Sequence, residues 1–256
     1  MKKNKSFLFF VLAFAAIAVI FFLVYYFSSR IKNKIVDINP VGLNDSSEIW
    51  NSSVANPTTE KTETNNEPSL PEKYLLSVPF QPQAPYGDWS QPYQDGCEEA
   101  AIIIVEHYLD SSSLAKDQMK SEIDAAVAWQ MANWGGHNDL PADEILKLAR
   151  DYFGLDGQVV RNYQLEDLKK YISSGVPIIA PSAGRRLGNP NFRGAGPEYH
   201  NIVIIGYDDS QGIFITNDPG TRNGKSYVYK YQTILDAVSG PKENMEKAVV
   251  VLIKPN

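Results

Sequence analysis

The chain has 256 residues, of which 43% are hydrophobic, so it can form one sizeable core and carry additional segments. Its formal net charge is -6 at pH 7, and this composition supplies no basic surface of the kind that binds nucleic acids, which excludes nucleic acid as a partner. The one cysteine cannot form an internal disulfide bond.

An unbroken apolar segment at residues 7–27 predicts a transmembrane helix. At 1.5 Å per residue the segment spans about 30 Å, the thickness of a bilayer core. A cleaved signal peptide is disfavoured, because its apolar region has about 7 to 15 residues and precedes a small-residue cleavage site. Three basic residues lie on each side, and the α-amino group favours an N-terminus on the inner side. We therefore expect residues 1–34 to form a membrane anchor, with the bulk of the chain outside.

The next segment, residues 35–73, is rich in Asn, Ser, Thr, Glu and Pro and has few large apolar residues. No sustained helical or strand period runs through it, so we expect a disordered polar stalk. The stalk would tether a folded domain at residues 74–256.

Four helices are expected in the first half of this domain. The first begins at Cys97, where Asp95 and Glu98 have the spacing of a capping box. The third begins at Pro141 and ends at Gly154, two residues that favour helix starts and stops, respectively. The predicted helices are 97–109, 114–131, 141–154 and 165–174.

Short strands dominate the second half. They are rich in Val, Ile and aromatic residues and are separated by Gly, Pro, Asp and Asn, which predicts an antiparallel sheet with hairpins. Residues 208–212 make a good hairpin loop, and one more helix is expected at 231–238. The predicted strands are 176–180, 201–206, 212–216, 226–230 and 248–253. Helices followed by a sheet indicate an α+β domain.

Cys97 stands at the N-terminus of the first predicted helix. The helix dipole and the free N–H groups there favour a thiolate, the form of cysteine that acts as a nucleophile. Glu98 and Glu99 oppose this effect, because a neighbouring negative charge raises the pKa of a thiol. A buried cysteine with no chemical role is the alternative.

The three histidines differ in their ability to reach that thiol. His107 lies about 15 Å along the same helix and is expected to be structural. His137, with Asp139 and Asp143, is only a weak pattern for a metal site, so neither a metal nor a cofactor is expected. His200 directly precedes an apolar strand that belongs in the core, and Asp218 follows the strand paired with it. A base oriented by a carboxylate beside a thiol is the arrangement of papain-like enzymes.

Four stretches resemble a known family of bacterial peptidases. In chain order they are Val78-Pro79-Phe80-Gln81-Pro82-Gln83-Ala84-Pro85, Cys97-Glu98-Glu99-Ala100, Gly196-Pro197-Glu198-Tyr199-His200 and Thr216-Asn217-Asp218-Pro219-Gly220-Thr221. They are similar to peptidase-like domains of the thirty-ninth cysteine-peptidase family, which is named for double-glycine bacteriocin-leader peptidases. The resemblance covers about residues 76–253 and implies a papain-like fold.

The resemblance also implies roles for individual residues. Cys97 would be the nucleophile, His200 the base, Asp218 the orienting acid and an upstream glutamine the oxyanion donor. The Pro-Phe-x-x-Gln-Ala-Pro pattern selects Gln83. The six-residue spacing found among papain-like enzymes selects Gln91 instead, and Asn217 is the alternative to Asp218.

The function expected from the sequence is a membrane-anchored cysteine peptidase or amidase that cleaves a peptide or protein substrate through a thioester on Cys97. Acyl transfer, by a thioesterase or a transglutaminase-like enzyme, is one alternative, and an inactive peptide-binding module is another. The segment 184–194, rich in Gly and Arg, is either a mobile flap that meets an acidic substrate or a solvated connection. The sequence does not predict an oligomeric state.

Overall fold

A computed structural model describes residues 69–255 of the chain. The predicted transmembrane segment at 7–27 and nearly all of the predicted stalk lie outside the described residues. Within 69–255, no helix combines the length and the apolar character needed to cross a membrane. The anchor and the stalk therefore stay predictions.

The described residues form a seven-stranded sheet with six helices and one short 3-10 helix, Tyr93–Asp95. The strands are β1 (Lys73–Leu75), β2 (Asp156–Val160), β3 (Ile178–Ala183), β4 (Tyr199–Asp208), β5 (Ile213–Asn217), β6 (Tyr227–Lys230) and β7 (Val249–Ile253). The helices are α1 (Cys97–Leu109), α2 (Lys116–Asn133), α3 (Ala142–Asp151), α4 (Leu165–Ser173), α5 (Gly184–Leu187) and α6 (Tyr231–Val238).

All the strand pairings are antiparallel, and the strand order is β2-β7-β3-β4-β5-β6. The short strand β1 pairs with the C-terminal end of β4, next to the start of β3. The hairpin between β4 and β5 turns at Asp208 and Ile213, as predicted. This hairpin sets the position of the loop after β5 relative to the first residues of β4.

The core lies where α1 packs on β4. Every residue of β4 is buried, and the apolar residues Ala100 to Val105 of α1 are fully buried. A helix that is apolar on all sides belongs in the interior, so α1 is covered by α2 and α3 as well as by the sheet. Helices α4 and α6 pack on the sheet too. The N-terminus of α1 is thereby held firmly against the first residues of β4.

The predicted α+β class with an antiparallel sheet is confirmed. Helices α1 and α6 have the predicted bounds, and the other predicted helices and strands are present with ends shifted by a few residues. Four elements were not predicted: β1, β2, α5 and the short 3-10 helix. Strand β2 shows no hydrophobic pattern in the sequence, because it begins with Asp and Gly and is only half-buried. Gly157 is needed there, since a Cβ at this position would lie 2.1 Å from the carbonyl oxygen of Val251.

Two local predictions are corrected. The folded domain begins before residue 74, because Lys73 is part of β1 and the carbonyl of Pro71 accepts a hydrogen bond from Tyr207 at 2.8 Å. The predicted capping box at the start of α1 is absent: Gly96 is the N-cap residue and no side chain caps the helix. The side chain of Glu98 is directed into the interior instead, where it accepts a hydrogen bond from the backbone N–H of Leu140.

Candidate active site

Cys97 is the first residue of α1, and its side chain is buried, with 4% of the residue exposed. The sulfur lies 3.0 Å from Oε2 of Glu98 and 3.6 Å from Nδ2 of Asn201, which donates to it. The backbone N–H of a first helical residue has no partner within the helix. Cys97 therefore offers both a thiol and a free amide at one point.

The environment of this thiol differs from the predicted one. Burial raises the pKa of Cys97 well above its usual value, and the carboxyl group of Glu98 raises it further. The hydrogen bond from Asn201 acts in the opposite direction but does not outweigh these effects. These surroundings disfavour a thiolate at the helix N-terminus, where the sequence predicted a stabilised one.

The two glutamates after Cys97 are both buried. Oε1 of Glu98 accepts the backbone N–H of Leu140 at 2.9 Å. Burial and the proximity of Glu99 raise the pKa of Glu98 well above its usual value. Glu99 accepts a hydrogen bond from Gln130 at 2.5 Å and lies 3.4 Å from Nε2 of His137.

His200 and Asp218 form a direct pair, as predicted. Nε2 of His200 lies 2.8 Å from Oδ1 of Asp218, and both residues are buried. Oδ2 of Asp218 accepts hydrogen bonds from Asn189 at 2.9 Å and from Tyr229 at 2.6 Å, and the N–H of Gly220 donates to Oδ1 at 3.0 Å. Burial alone would raise the pKa of Asp218, but the charge of His200 and these donors hold it below the usual value.

The imidazole of His200 is tightly enclosed. The ring of Phe192 meets it edge to face at a centroid distance of 5.3 Å. A Cβ atom at Gly220 would lie 2.7 Å from Cε1 of His200, so only glycine leaves room for the ring. Because Nε2 is bound to Asp218, Nδ1 is the nitrogen that remains for a reaction partner.

Cys97 and His200 line the same cleft, which has a volume of about 1340 Å³. No hydrogen bond joins the sulfur to the imidazole within the part of the chain that the structure describes. The sulfur contacts Glu98 and Asn201 instead. The structure thus brings the two predicted residues to one cleft, with the thiol turned to a different partner.

The two candidate glutamines are in different places. Gln83 is 3% exposed and lines the cleft. Its Nε2 donates to the carbonyls of Tyr93 and Gln94 at 2.9 and 3.1 Å, and its buried Oε1 has no partner within 69–255. Gln91 is exposed, lies outside the cleft lining and donates to Asp95 at 2.5 Å.

Asn217, the alternative to Asp218, has a separate function. Its Nδ2 donates to the carbonyls of Val78 and Pro79 at 3.3 and 3.0 Å, and its Oδ1 accepts the N–H of Ser226 at 3.1 Å. These bonds fix the N-terminal segment that carries Gln83. Asn217 therefore supports the cleft wall, and Asp218 contacts the imidazole.

The remaining histidines lie elsewhere. His107 is at the end of α1, where it contacts Ser112, the carbonyl of Ser113 and, at 3.1 Å, Glu122. This arrangement agrees with the predicted structural role. The weak metal pattern is dispersed, because His137 faces Glu99 while Asp139 and Asp143 form ion pairs with other residues. Across residues 69–255, no group of three or more His, Cys, Asp or Glu side chains is placed to hold a metal ion.

Three side chains of the site had no signal in the sequence. Asn201 donates to the sulfur, while Asn189 and Tyr229 donate to Asp218. The residues to which they donate lie 104, 29 and 11 positions away along the chain, and the fold brings each pair together. Asn189 also donates to the hydroxyl oxygen of Tyr229 at 2.8 Å.

One family model matches the chain, and two solved structures are similar to it. The model of the Peptidase_C39 like family matches residues 75–248, more than half of the chain. A crystal structure described as a C39-like peptidase from Bacillus anthracis is similar at 17% identity and a TM-score of 0.48, covering 72% of this chain and 98% of that one. Xylellain, a cysteine protease from Xylella fastidiosa, is similar at 14% identity and a TM-score of 0.40, covering 80% and 94%. No curated protein matches the chain.

The fit of the imidazole against Gly220 yields a prediction. A Gly220→Ala substitution places a methyl group 2.7 Å from the ring of His200, so the ring must move and its bond to Asp218 lengthens. We expect a loss of at least about tenfold in kcat/KM towards any substrate, since an imidazole displaced by about 1 Å loses its alignment. Gly240→Ala is the control, because its Cβ meets nothing closer than 3.7 Å. Equal activity of both variants would show that the position of this ring does not matter.

Proposed function

We propose, since the chain belongs to the Peptidase C39 like family, that it is a cysteine peptidase or amidase that uses Cys97 as nucleophile and His200 as base. The observation that carries the proposal is the shared cleft: a thiol at a helix N-terminus and an imidazole bound to a buried carboxylate line the same cavity. A papain-like arrangement of the fold belongs to the same proposal. The membership itself supports a hydrolase of the cysteine-peptidase type.

The reaction begins with proton transfer. The thiol turns from Glu98 towards His200, and Nδ1 of the imidazole takes its proton. The sulfur then attacks the carbonyl carbon of the substrate, and the amine leaves with the proton from His200. Water hydrolyses the resulting thioester. Asp218 holds the ring in one orientation and stabilises the imidazolium while the proton is on it.

Two donors are available for the oxyanion. One is the backbone N–H of Cys97, which has no partner within the helix. The other is Nε2 of Gln83, whose two carbonyl acceptors belong to the adjacent residues Tyr93 and Gln94. A single bifurcated N–H can serve both carbonyls and leave the second N–H for the cleft. Each donor is worth about 3 kcal/mol of transition-state stabilisation.

We also propose that the enzyme is attached to the membrane by residues 7–27 and that its catalytic domain lies on the outer side. The proposal rests on the length of the apolar segment and its basic flanks. The polar segment 35–73 would let the domain reach substrates at some distance from the bilayer.

An inactive peptide-binding module is the second candidate. It is favoured by one observation, the contact of the sulfur with Glu98 and Asn201. A chain that never turns the thiol towards His200 would bind peptides in the cleft without cleaving them. Turnover measurements separate the two functions.

The main test uses the full chain in detergent with a fluorogenic peptide library. Cys97→Ser and His200→Ala should each lower kcat/KM by at least about a thousandfold, because the nucleophile and its base act as one unit. Thermal melting should stay close to that of the wild type, which excludes unfolding as the cause. Full turnover by either variant would disprove the assignment, and absence of turnover in the wild type would favour the binding module.

The glutamines provide a matched pair of variants. Gln83→Ala should lower kcat by about 10²- to 10³-fold, as expected for the loss of one oxyanion donor. Gln91→Ala should leave kcat unchanged, because that side chain is exposed and outside the cleft. Kinetics on one library peptide would measure both. The opposite result would assign the oxyanion to Gln91.

Charge in the cleft predicts a substrate preference. Arg193, Arg222 and Lys225 are among the residues that line the cleft, and none of them forms a salt bridge within residues 69–255. We expect peptides with Asp or Glu to be cleaved with higher kcat/KM than neutral ones, and the difference to shrink at 0.5 M salt, which is about the level that screens exposed charges. Arg193→Gln should reduce the preference several-fold.

Arg185→Gln is the control for that preference, because Arg185 is exposed in the same segment, 184–194, but belongs to α5 and lies outside the cleft lining. Equal loss in both variants would trace the effect to the overall charge of the protein. Absence of a preference for acidic peptides in the wild type would show that the cleft arginines do not bind acidic side chains of the substrate.

A further inference from the structure

The contact between Cys97 and Glu98 has no role in the reaction described above. Glu98 is 1% exposed, and both oxygens of its carboxyl group have hydrogen-bond partners. Oε2 lies 3.0 Å from the sulfur, and Oε1 accepts the backbone N–H of Leu140 at 2.9 Å. The carbonyl of Leu140 is held in turn by the hydroxyl of Tyr199 at 2.5 Å. The carboxyl group therefore has a fixed position beside the thiol.

The charges around this pair discourage a second negative charge. Glu99 follows on the same helix and is buried. Tyr199 faces the pair from β4, and Asp139 lies on the loop before α3. The basic groups near the pair are bound to other carboxylates: Lys242, on the loop after α6, pairs with Asp139 at 2.6 Å, and Nε2 of His137, on the loop before α3, lies 3.4 Å from Glu99. A thiolate beside Glu98 would thus be a buried anion without a cation, which is costly.

We propose that Glu98 is a positioning residue that holds Cys97 as a neutral resting thiol, hydrogen-bonded to the carboxyl group of Glu98 and not to His200. This inference rests on the proposed function in one respect only, the identity of the nucleophile. It goes further because it assigns a resting state: the enzyme has no preformed ion pair between thiolate and imidazolium. Such a thiol is protected from alkylation and oxidation, which act on the thiolate.

The proton balance of activation is simple. When the sulfur turns to His200, its S–H bond breaks and an N–H bond forms at Nδ1, giving a thiolate and an imidazolium side by side. The proton count at Glu98 does not change. Asn201, which donates to the sulfur in the resting position, loses that acceptor. The opposite charges of sulfur and ring replace the contact with Glu98 as the force that holds the sulfur in place.

Glu98→Gln is the informative variant, because glutamine keeps the shape of the side chain. Its Oε1 can still accept the N–H of Leu140, while its Nε2 would donate to the sulfur and favour the thiolate. The removal of the carboxyl group should lower the pKa of Cys97, since Glu98 raises it through charge and hydrogen bonding. We expect the midpoint of thiolate formation to fall by at least about one pH unit.

The measurement is thiolate absorbance at 240 nm from pH 5 to 11 on the full chain in detergent, with the Cys97→Ser profile subtracted to remove the tyrosines. The wild type should show a midpoint above the value of about 8.5 for a free thiol. Iodoacetamide labelling at pH 7 should be at least about tenfold faster in Glu98→Gln, in proportion to the thiolate fraction. Glu198→Gln is the control, because Glu198 is an exposed carboxylate of the same cleft.

Two results would overturn the inference. One is a wild-type midpoint below about pH 7, which would reveal a preformed ion pair. The other is a Glu98→Gln midpoint equal to that of the wild type or of Glu198→Gln. The wild-type titration alone decides the matter if Glu98→Gln does not fold. Because neither readout needs turnover, failure of the peptidase assignment and failure of this inference are distinguishable.

Discussion

The antiparallel pairing of β4 with its neighbours is the constraint on which the site depends. β4 pairs with β3, β5 and β1, and α1 packs on it. One strand therefore fixes His200, the loop that carries Asp218 and the N-terminus that carries Cys97. A shift of β4 by one residue would turn His200 to the other side of the sheet, so its register is also the register of the site.

Two buried carboxyl groups of the site, those of Asp218 and Glu98, have pKa values shifted in opposite directions. Asp218 has four donors, from His200, Asn189, Tyr229 and the N–H of Gly220, and these keep it ionised. Glu98 has one backbone donor and a neighbouring carboxyl group, and its pKa is raised. The number of hydrogen-bond donors accounts for the opposite directions of the two pKa shifts. Asp218 contacts the imidazole, and Glu98 lies against the thiol.

Much of the fold could be predicted because its patterns are local. The apolar run after Gly96 gives the bounds of α1, and the run after His200 gives β4. The pair of His200 and Asp218 followed from a hairpin that the sequence marks clearly. The inward turn of Glu98 could not be predicted, because its partner Leu140 is 42 positions away. Asn189 was missed for the same reason, since its contact with Asp218 spans 29 positions.

The segment 184–194 shows that the composition of a polar segment does not reveal which of its residues are buried and which line a cleft. Its composition suggested either a mobile flap or a solvated connection, but Arg186 donates to the carbonyl of Asp236 and Asn189 is buried against Asp218. Arg193, four residues later, is exposed and lines the cleft. Because Asn189 fixes the backbone near it, a substrate carboxylate that meets Arg193 would order a side chain and not a whole loop. The entropic cost of that contact is then about 1 kcal/mol, small enough for a single charge-assisted hydrogen bond to offset.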